Sequence, residues 1–180
     1  MTAAKVFSKT ITVATVISVI LIGMFFIPNA TIIAQPPSEG VWEISGEESI
    51  TNSELIINGS IEITASGSLT IQNSNVTFNI TETNDLSVTV YGELNIINSN
   101  ITVLNTSTIL PIEVKTDGAI TIEDSNINYA TLEITSATVD ISGSTFVNSG
   151  LITIYNCANI SIVGNTFTNA DEALLLKKVT

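Results

Sequence analysis

From Ile61 onward the chain alternates apolar and polar residues with a period of two, in short runs broken by turn formers. This is the pattern of half-buried strands, and the polar partners are mostly Thr, Ser, Asn and Glu. Ile61/Ile63, Leu69/Ile71 and Val76/Phe78 are the inward pairs of three successive strands, and the triplet then recurs. The first pair returns as Val88/Val90, Ile112/Val114, Leu132/Ile134 and Ile152/Ile154. The second returns as Leu94/Ile96, Ile120/Ile122, Val139/Ile141 and Ile160/Ile162. The third weakens, from Ile101/Val103 and Ile127/Tyr129 to the single Phe146 and Phe167. Laid over one another at Ile71, Ile96, Ile122, Ile141 and Ile162, the five units step by 25, 26, 19 and 21 residues. Periods of this size predict stacked supersecondary units, none able to bury its apolar face alone.

Two columns mark the corner after the second strand. Asn73, Asn98, Asp124, Gly143 and Gly164 are residue types that tolerate positive φ, so each coil is expected to turn there through a left-handed position. Ser74, Ser99, Ser125, Ser144 and Asn165 follow directly and are placed to hydrogen-bond from coil to coil. The connections from third strand back to first are nine and eight residues long in the early units, then two and three. Long corner loops are therefore expected in the N-terminal half only.

Three strands per coil with turn formers in register resemble the right-handed parallel β-helix of the pectin-lyase-like superfamily, over roughly residues 41 to 168. The rung also looks like those of secreted, Asn- and Thr-rich archaeal β-helix proteins. The expected fold is thus all-β, a right-handed parallel β-helix of about five three-strand coils after an N-terminal hydrophobic helix. The resemblance implies long corners flanking a binding groove. It stops short of the superfamily's catalytic residues, because the chain contains neither Arg nor His.

The ends have their own character. Lys5 and Lys9 precede an apolar run, so residues 1–34 are expected to be a signal peptide or a signal-anchor helix. Either one places the remainder outside the cytosol, secreted or anchored at the cell surface, with membrane contact through the segment if it is uncleaved. Residues 35–40, with Pro36 and Pro37, read as a linker. Residues 41–54, with the single Trp42, read as an N-terminal cap, and 55–180 as a β-helix incomplete or uncapped at its C-terminal side.

Charge narrows the chemistry. Beyond Ala34 lie three lysines and all 17 acidic residues, a formal charge of −14, which argues against nucleic acid as a partner. Cys157 stands alone, so it makes no intramolecular disulfide and reads as a small buried apolar residue. With one Cys and no imidazole, zinc, copper and iron sites are disfavoured.

No catalytic constellation and no organic cofactor are expected. The middle outward positions of the first strand read Glu62, Thr89, Glu113, Glu133 and Thr153, so Glu113 and Glu133 should sit one above the other at about 5 Å. Such a pair is a solvated acidic face, a Ca²⁺ candidate, or the spacing of a retaining glycosidase. Sequons at Asn58, Asn75, Asn79, Asn100, Asn105 and Asn159 are glycosylation candidates. Outward threonines stack as Thr70 with Asn95 and Thr121, and Thr77 with Thr102, the filler of high β-propensity.

Two functional readings remain. One is a non-enzymatic extracytoplasmic β-helix serving as a cell-surface scaffold, stalk or adhesion module. The other is a carbohydrate-binding or carbohydrate-active protein of the same fold, with the long corners and the glutamate column as its site; the expected partner is a polysaccharide or a cell-surface protein. Two of Tyr91, Tyr129 and Tyr155 projecting together beside Glu113 and Glu133 would favour the second reading; buried or scattered tyrosines would count against it.

Overall fold

The computed structural model describes residues 36–81, 84–170 and 173–178. The hydrophobic helix expected over residues 1–34 lies outside the described residues. The described part winds as a parallel β-solenoid of about six turns. The first turn is β1 (Val41–Ile44), β2 (Glu47–Thr51) and β3 (Glu54–Ile57). The second is β4 (Ser60–Ile63), β5 (Ser68–Gln72) and β6 (Asn75–Phe78), and the third β7 (Val88–Val90), β8 (Glu93–Ile97) and β9 (Asn100–Val103). The fourth is β10 (Leu110–Val114), β11 (Ala119–Glu123) and β12 (Asn126–Asn128), and the fifth β13 (Ala130–Thr135), β14 (Thr138–Ser142) and β15 (Thr145–Val147). The sixth is β16 (Ile152–Tyr155), β17 (Asn159–Val163) and β18 (Thr166–Thr168), followed by β19 (Leu174–Lys177).

Every third strand joins the same sheet. The first sheet orders β1-β4-β7-β10-β13-β16-β19, the second runs from β2 to β17 and the third from β3 to β18, with parallel pairing throughout the described strands. The register is the one the repeat predicts. Leu69 pairs with Leu94, Leu94 with Ile120 and Ile120 with Val139, and all four are buried. The inward columns are thus stacks of mostly aliphatic side chains about 4.8 Å apart, with Phe146 stacked on Phe167 in the third sheet, and each fully buried Leu or Ile contributes about 1.5–3 kcal/mol.

The turn count differs from the expected five because residues 41–54, read as a cap, are wound as a turn in register with the next. Trp42 pairs with Ile61, Ile44 with Ile63 and Ile50 with Ile71. The repeat is disguised there because Glu48 occupies the inward position that Leu69 holds one turn on. A half-buried carboxylate is tolerated at that place because, among the described residues, no turn lies beneath it.

The corner after the second sheet carries both predicted columns. Asn73, Asn98 and Asp124 have φ of 50°, 48° and 46°, and Gly143 and Gly164 have 60° and 68°. The serines form a continuous ladder. Ser53 N–H donates to Ser74 Oγ (3.1 Å), Ser74 N–H to Ser99 Oγ (3.1 Å), Ser99 N–H to Ser125 Oγ (3.0 Å) and Ser125 N–H to Ser144 Oγ (3.1 Å). Ser144 N–H then donates to Asn165 Oδ1 (2.9 Å). Each hydroxyl in turn donates a hydrogen bond to the carbonyl oxygen two residues back, as Ser99 does to Ile97 at 2.8 Å. The ladder therefore satisfies donors and acceptors in a corner where the second sheet's pairing has ended.

Cys157 performs the same task at the corner after the first sheet. Its Sγ accepts from the Ala137 amide at 3.3 Å and lies 3.5 Å from the Tyr155 carbonyl oxygen. It is buried, as expected, but it is also a hydrogen-bonding rung, preceded by Asn156 at φ 57° as each Asn–Ser pair requires.

Candidate functional site

The outer face of the first sheet brings together the chemistry that the sequence offers. Strand register makes one outward column of Glu43, Glu62, Thr89, Glu113, Glu133 and Thr153. Two residues further along, at the last position of a strand or directly after it, runs a second column: Thr64, Tyr91, Lys115, Thr135, Tyr155 and Lys177. Its members follow the paired inward residues Ile63, Val90, Val114 and Ile134, and the Lys115 amide donates to the Val90 carbonyl at 2.8 Å.

Glu113 and Glu133 are direct neighbours, as predicted. What residue-by-residue reading missed is the partner of Glu113: Lys115 Nζ donates a hydrogen bond to Glu113 Oε2. The signal was present, since positions i and i+2 of a strand share a face. That hydrogen bond pushes the Lys115 pKa above the ordinary lysine value against desolvation, which lowers it; electrostatic interactions with Glu113, Glu133 and Tyr91 add to the rise. The centre of the face is thus an ion pair with a second carboxylate, Glu133, exposed beside it.

The pair fits Ca²⁺ poorly. Calcium takes six to eight oxygen ligands, whereas two glutamates stand here with an ammonium on one of them. No group of three or more His, Cys, Asp or Glu side chains able to hold a metal occurs among the described residues.

The tyrosines separate into two kinds. Tyr91 and Tyr155 are 43% and 37% exposed, large values for residues that point from the same column. Tyr91 lies one turn before the Glu113–Lys115 rung, and Tyr155 one turn after the Glu133–Thr135 rung. Three turn steps separate them, about 14 Å along the solenoid axis. The ammonium of Lys178 sits 5.5 Å from the Tyr155 ring centroid, bracing the ring by a cation–π contact. Tyr129 belongs elsewhere, at the corner between third and first sheets, with φ 56° and its ring packed partly against the core.

The long corners lie at the opposite edge of this face. Residues 79–87 precede β7 and tuck Ile80 and Leu86 into the core, with a bridge between Thr81 and Asn84. Residues 104–109 precede β10 and leave Leu104 and Ile109 exposed. The loops thus border the starts of the strands and the tyrosines border their ends, with the glutamates between.

The sequons sort by face. Asn75 and Asn100 begin strands of the third sheet, while Asn58, Asn79 and Asn105 lie at the corner that follows it. Asn159 begins β17 on the second sheet. The Asn79 side-chain amide donates to Asn58 Oδ1 at 2.9 Å, and Asn105 Oδ1 accepts from the Ser107 amide at 3.1 Å. None of the six side chains belongs to the tyrosine column.

No protein-family model matches the chain, and no curated protein and no solved structure matches it.

Proposed function

We propose that this chain is a non-enzymatic, extracytoplasmic adhesion module: a right-handed β-helix of the pectin-lyase-like kind, secreted or anchored at the cell surface, that meets its partner with the outer face of the first sheet. The observation that carries this reading is the placement of Tyr91 and Tyr155, two exposed aromatic rings in one column on either side of the Glu113–Glu133 rungs; the same placement favours the carbohydrate reading in its binding form, so the module's partner is taken as carbohydrate held without catalysis. Amphipathic rings of this kind supply apolar contact area together with a hydroxyl, the combination enriched at recognition surfaces. The rest of the molecule suits a presenting role. The serine ladder and the aliphatic stacks tie each turn to the next, so residues in one column hold a constant spacing.

The test is attachment of the purified full-length chain, in mild detergent, to intact cells and to isolated cell envelopes. Attachment that falls on replacing Tyr91 and Tyr155 together with alanine supports the reading. Attachment unchanged by that double replacement, or none to any surface, defeats it.

A further inference from the structure

The face described above has three properties that together specify a class of ligand. Its two platforms lie three turns apart along the axis, so one ligand that touches both is extended and runs parallel to that axis. Between the platforms lie hydrogen-bonding groups and no exposed aliphatic side chain: Glu113, Lys115, Glu133 and Thr135. The single cation among those four groups is already engaged by Glu113, within a chain whose formal charge beyond Ala34 is −14.

We infer that the ligand is a neutral glycan chain laid along the solenoid axis, with sugar rings resting on Tyr91 and Tyr155 and the rings between them hydrogen-bonded to Glu133, Thr135 and the Glu113–Lys115 pair. The inference rests on the adhesion reading and adds its substrate class. A sugar ring presents an apolar face of axial hydrogens that lies flat on an aromatic ring, and its hydroxyls donate to carboxylate oxygens, which are acceptors only. A pyranose with its linkage advances a glycan chain by roughly one turn of the solenoid, so the span from Tyr91 to Tyr155 takes about four consecutive rings at about 4.8 Å per turn. A uronic-acid or sulfated chain would meet the acidic field of the protein and would have to compete with Glu113 for Lys115; the other cations of this face, Lys177 and Lys178, lie only at its Tyr155 end, where Lys178 is already against the ring. An apolar peptide would desolvate both central carboxylates and leave Glu133 without a partner. Lys115 acts as a positioning residue: by holding Glu113 it leaves Glu133 as the free acceptor.

The experiment measures binding of the full-length chain to β-1,4-linked glucose and N-acetylglucosamine oligomers and to mannose oligomers, each of one to six rings. Oligogalacturonate and heparin fragments serve as acidic counterparts. The expected result is affinity for at least one neutral series that climbs between two and four rings, levels off beyond, and is insensitive to salt. Tyr91→Ala and Tyr155→Ala each weaken it about tenfold or more and remove the gain with length, while Tyr91→Phe and Tyr155→Phe retain the gain. Unaltered denaturation midpoints in the alanine variants show that the fold is intact. Binding with no dependence on length, a preference for the acidic series that fades with salt, or indifference to both alanine replacements overturns the inference.

Failure of the ligand class is separated from failure of adhesion by treating the target surfaces. Attachment abolished by periodate and resistant to protease supports a glycan. Attachment abolished by protease and resistant to periodate overturns the glycan and leaves the adhesion reading standing. No attachment to any untreated surface overturns both.

Discussion

The backbone amide of Ser74 donates to the hydroxyl of Ser99 at 3.1 Å, one turn up the solenoid, where both residues are buried. Ser99→Ala removes the acceptor and leaves the Ser74 amide buried without a partner, which costs about 1–3 kcal/mol. Urea denaturation should report a loss of that size. A change below about 0.5 kcal/mol, the range of ordinary surface substitutions, would mean that the ladder does not bear on stability.

Leu94 sits in the stacked column between Leu69 and Ile120 and is 2% exposed. It also borders a small apolar void of about 10 Å³ shared with Leu69 and Ile101. Leu94→Ala enlarges that void and is expected to cost about 2–5 kcal/mol, measured as a lowered denaturation midpoint. Tolerance of this change would place Leu94 outside the core.

Gly92 turns the corner between β7 and β8, where one coil lies close against the coil below. A Cβ there would stand 2.1 Å from the Gly67 carbonyl oxygen and 2.3 Å from that of Thr64, both backbone atoms. Gly92→Ala therefore has to push two coils apart, at a cost of about 1–3 kcal/mol. Gly46→Ala, with nothing within 4 Å of the added carbon, is the control expected to unfold as wild type.

The Lys115 pKa is raised in the folded chain by its hydrogen bond to Glu113. The folded state thus holds the proton more tightly than the unfolded state. The linked stability is complete below the ordinary lysine value of 10.5 and is lost as pH rises through the higher folded value. Denaturation midpoints of wild type and Lys115→Met should run parallel from neutral pH to about pH 10 and converge above it. Midpoints that stay parallel throughout would show that the ion pair does not form.

Expression in a host that glycosylates Asn-x-Ser/Thr, followed by peptide mass spectrometry, should find glycans at Asn105, in an exposed corner loop, and at Asn75, on the third sheet. Both lie away from the tyrosine column. Glycan-binding affinity should then be the same with and without this decoration. Unoccupied Asn75 and Asn105 would contradict the prediction.

Much of the architecture was legible because a solenoid writes its tertiary contacts into the period of its sequence. Ile71, Ile96 and Ile122 occupy the same place in the template and the same column in space. The Asn–Ser pairs that mark the corner became its left-handed turns and its ladder. The first turn was hidden because Glu48 breaks the apolar alternation, although Asn52–Ser53 repeats the corner signature and extends the ladder to Ser74. At the candidate site, the juxtaposition of Glu113 and Glu133 followed directly from register. The union of Tyr91 and Tyr155 did not, because each comes just after its strand's inward pair, and unequal corner lengths separate them by 64 residues in sequence while three turns separate them in space.

The winding itself is tested most directly by pulsed electron resonance between nitroxide labels on one outward column of the second sheet. Ser49, Thr70, Asn95, Thr121, Asp140 and Ser161 pair in succession, and the native Cys157 is buried and should not take label. Labels at Ser49 and Ser161 should lie about five rung spacings apart, about 24 Å between their Cα atoms, and moving the second label to Asp140 should shorten that by about 4.8 Å. A distance that does not shrink by one rung per turn as the second label descends the column would contradict a parallel solenoid.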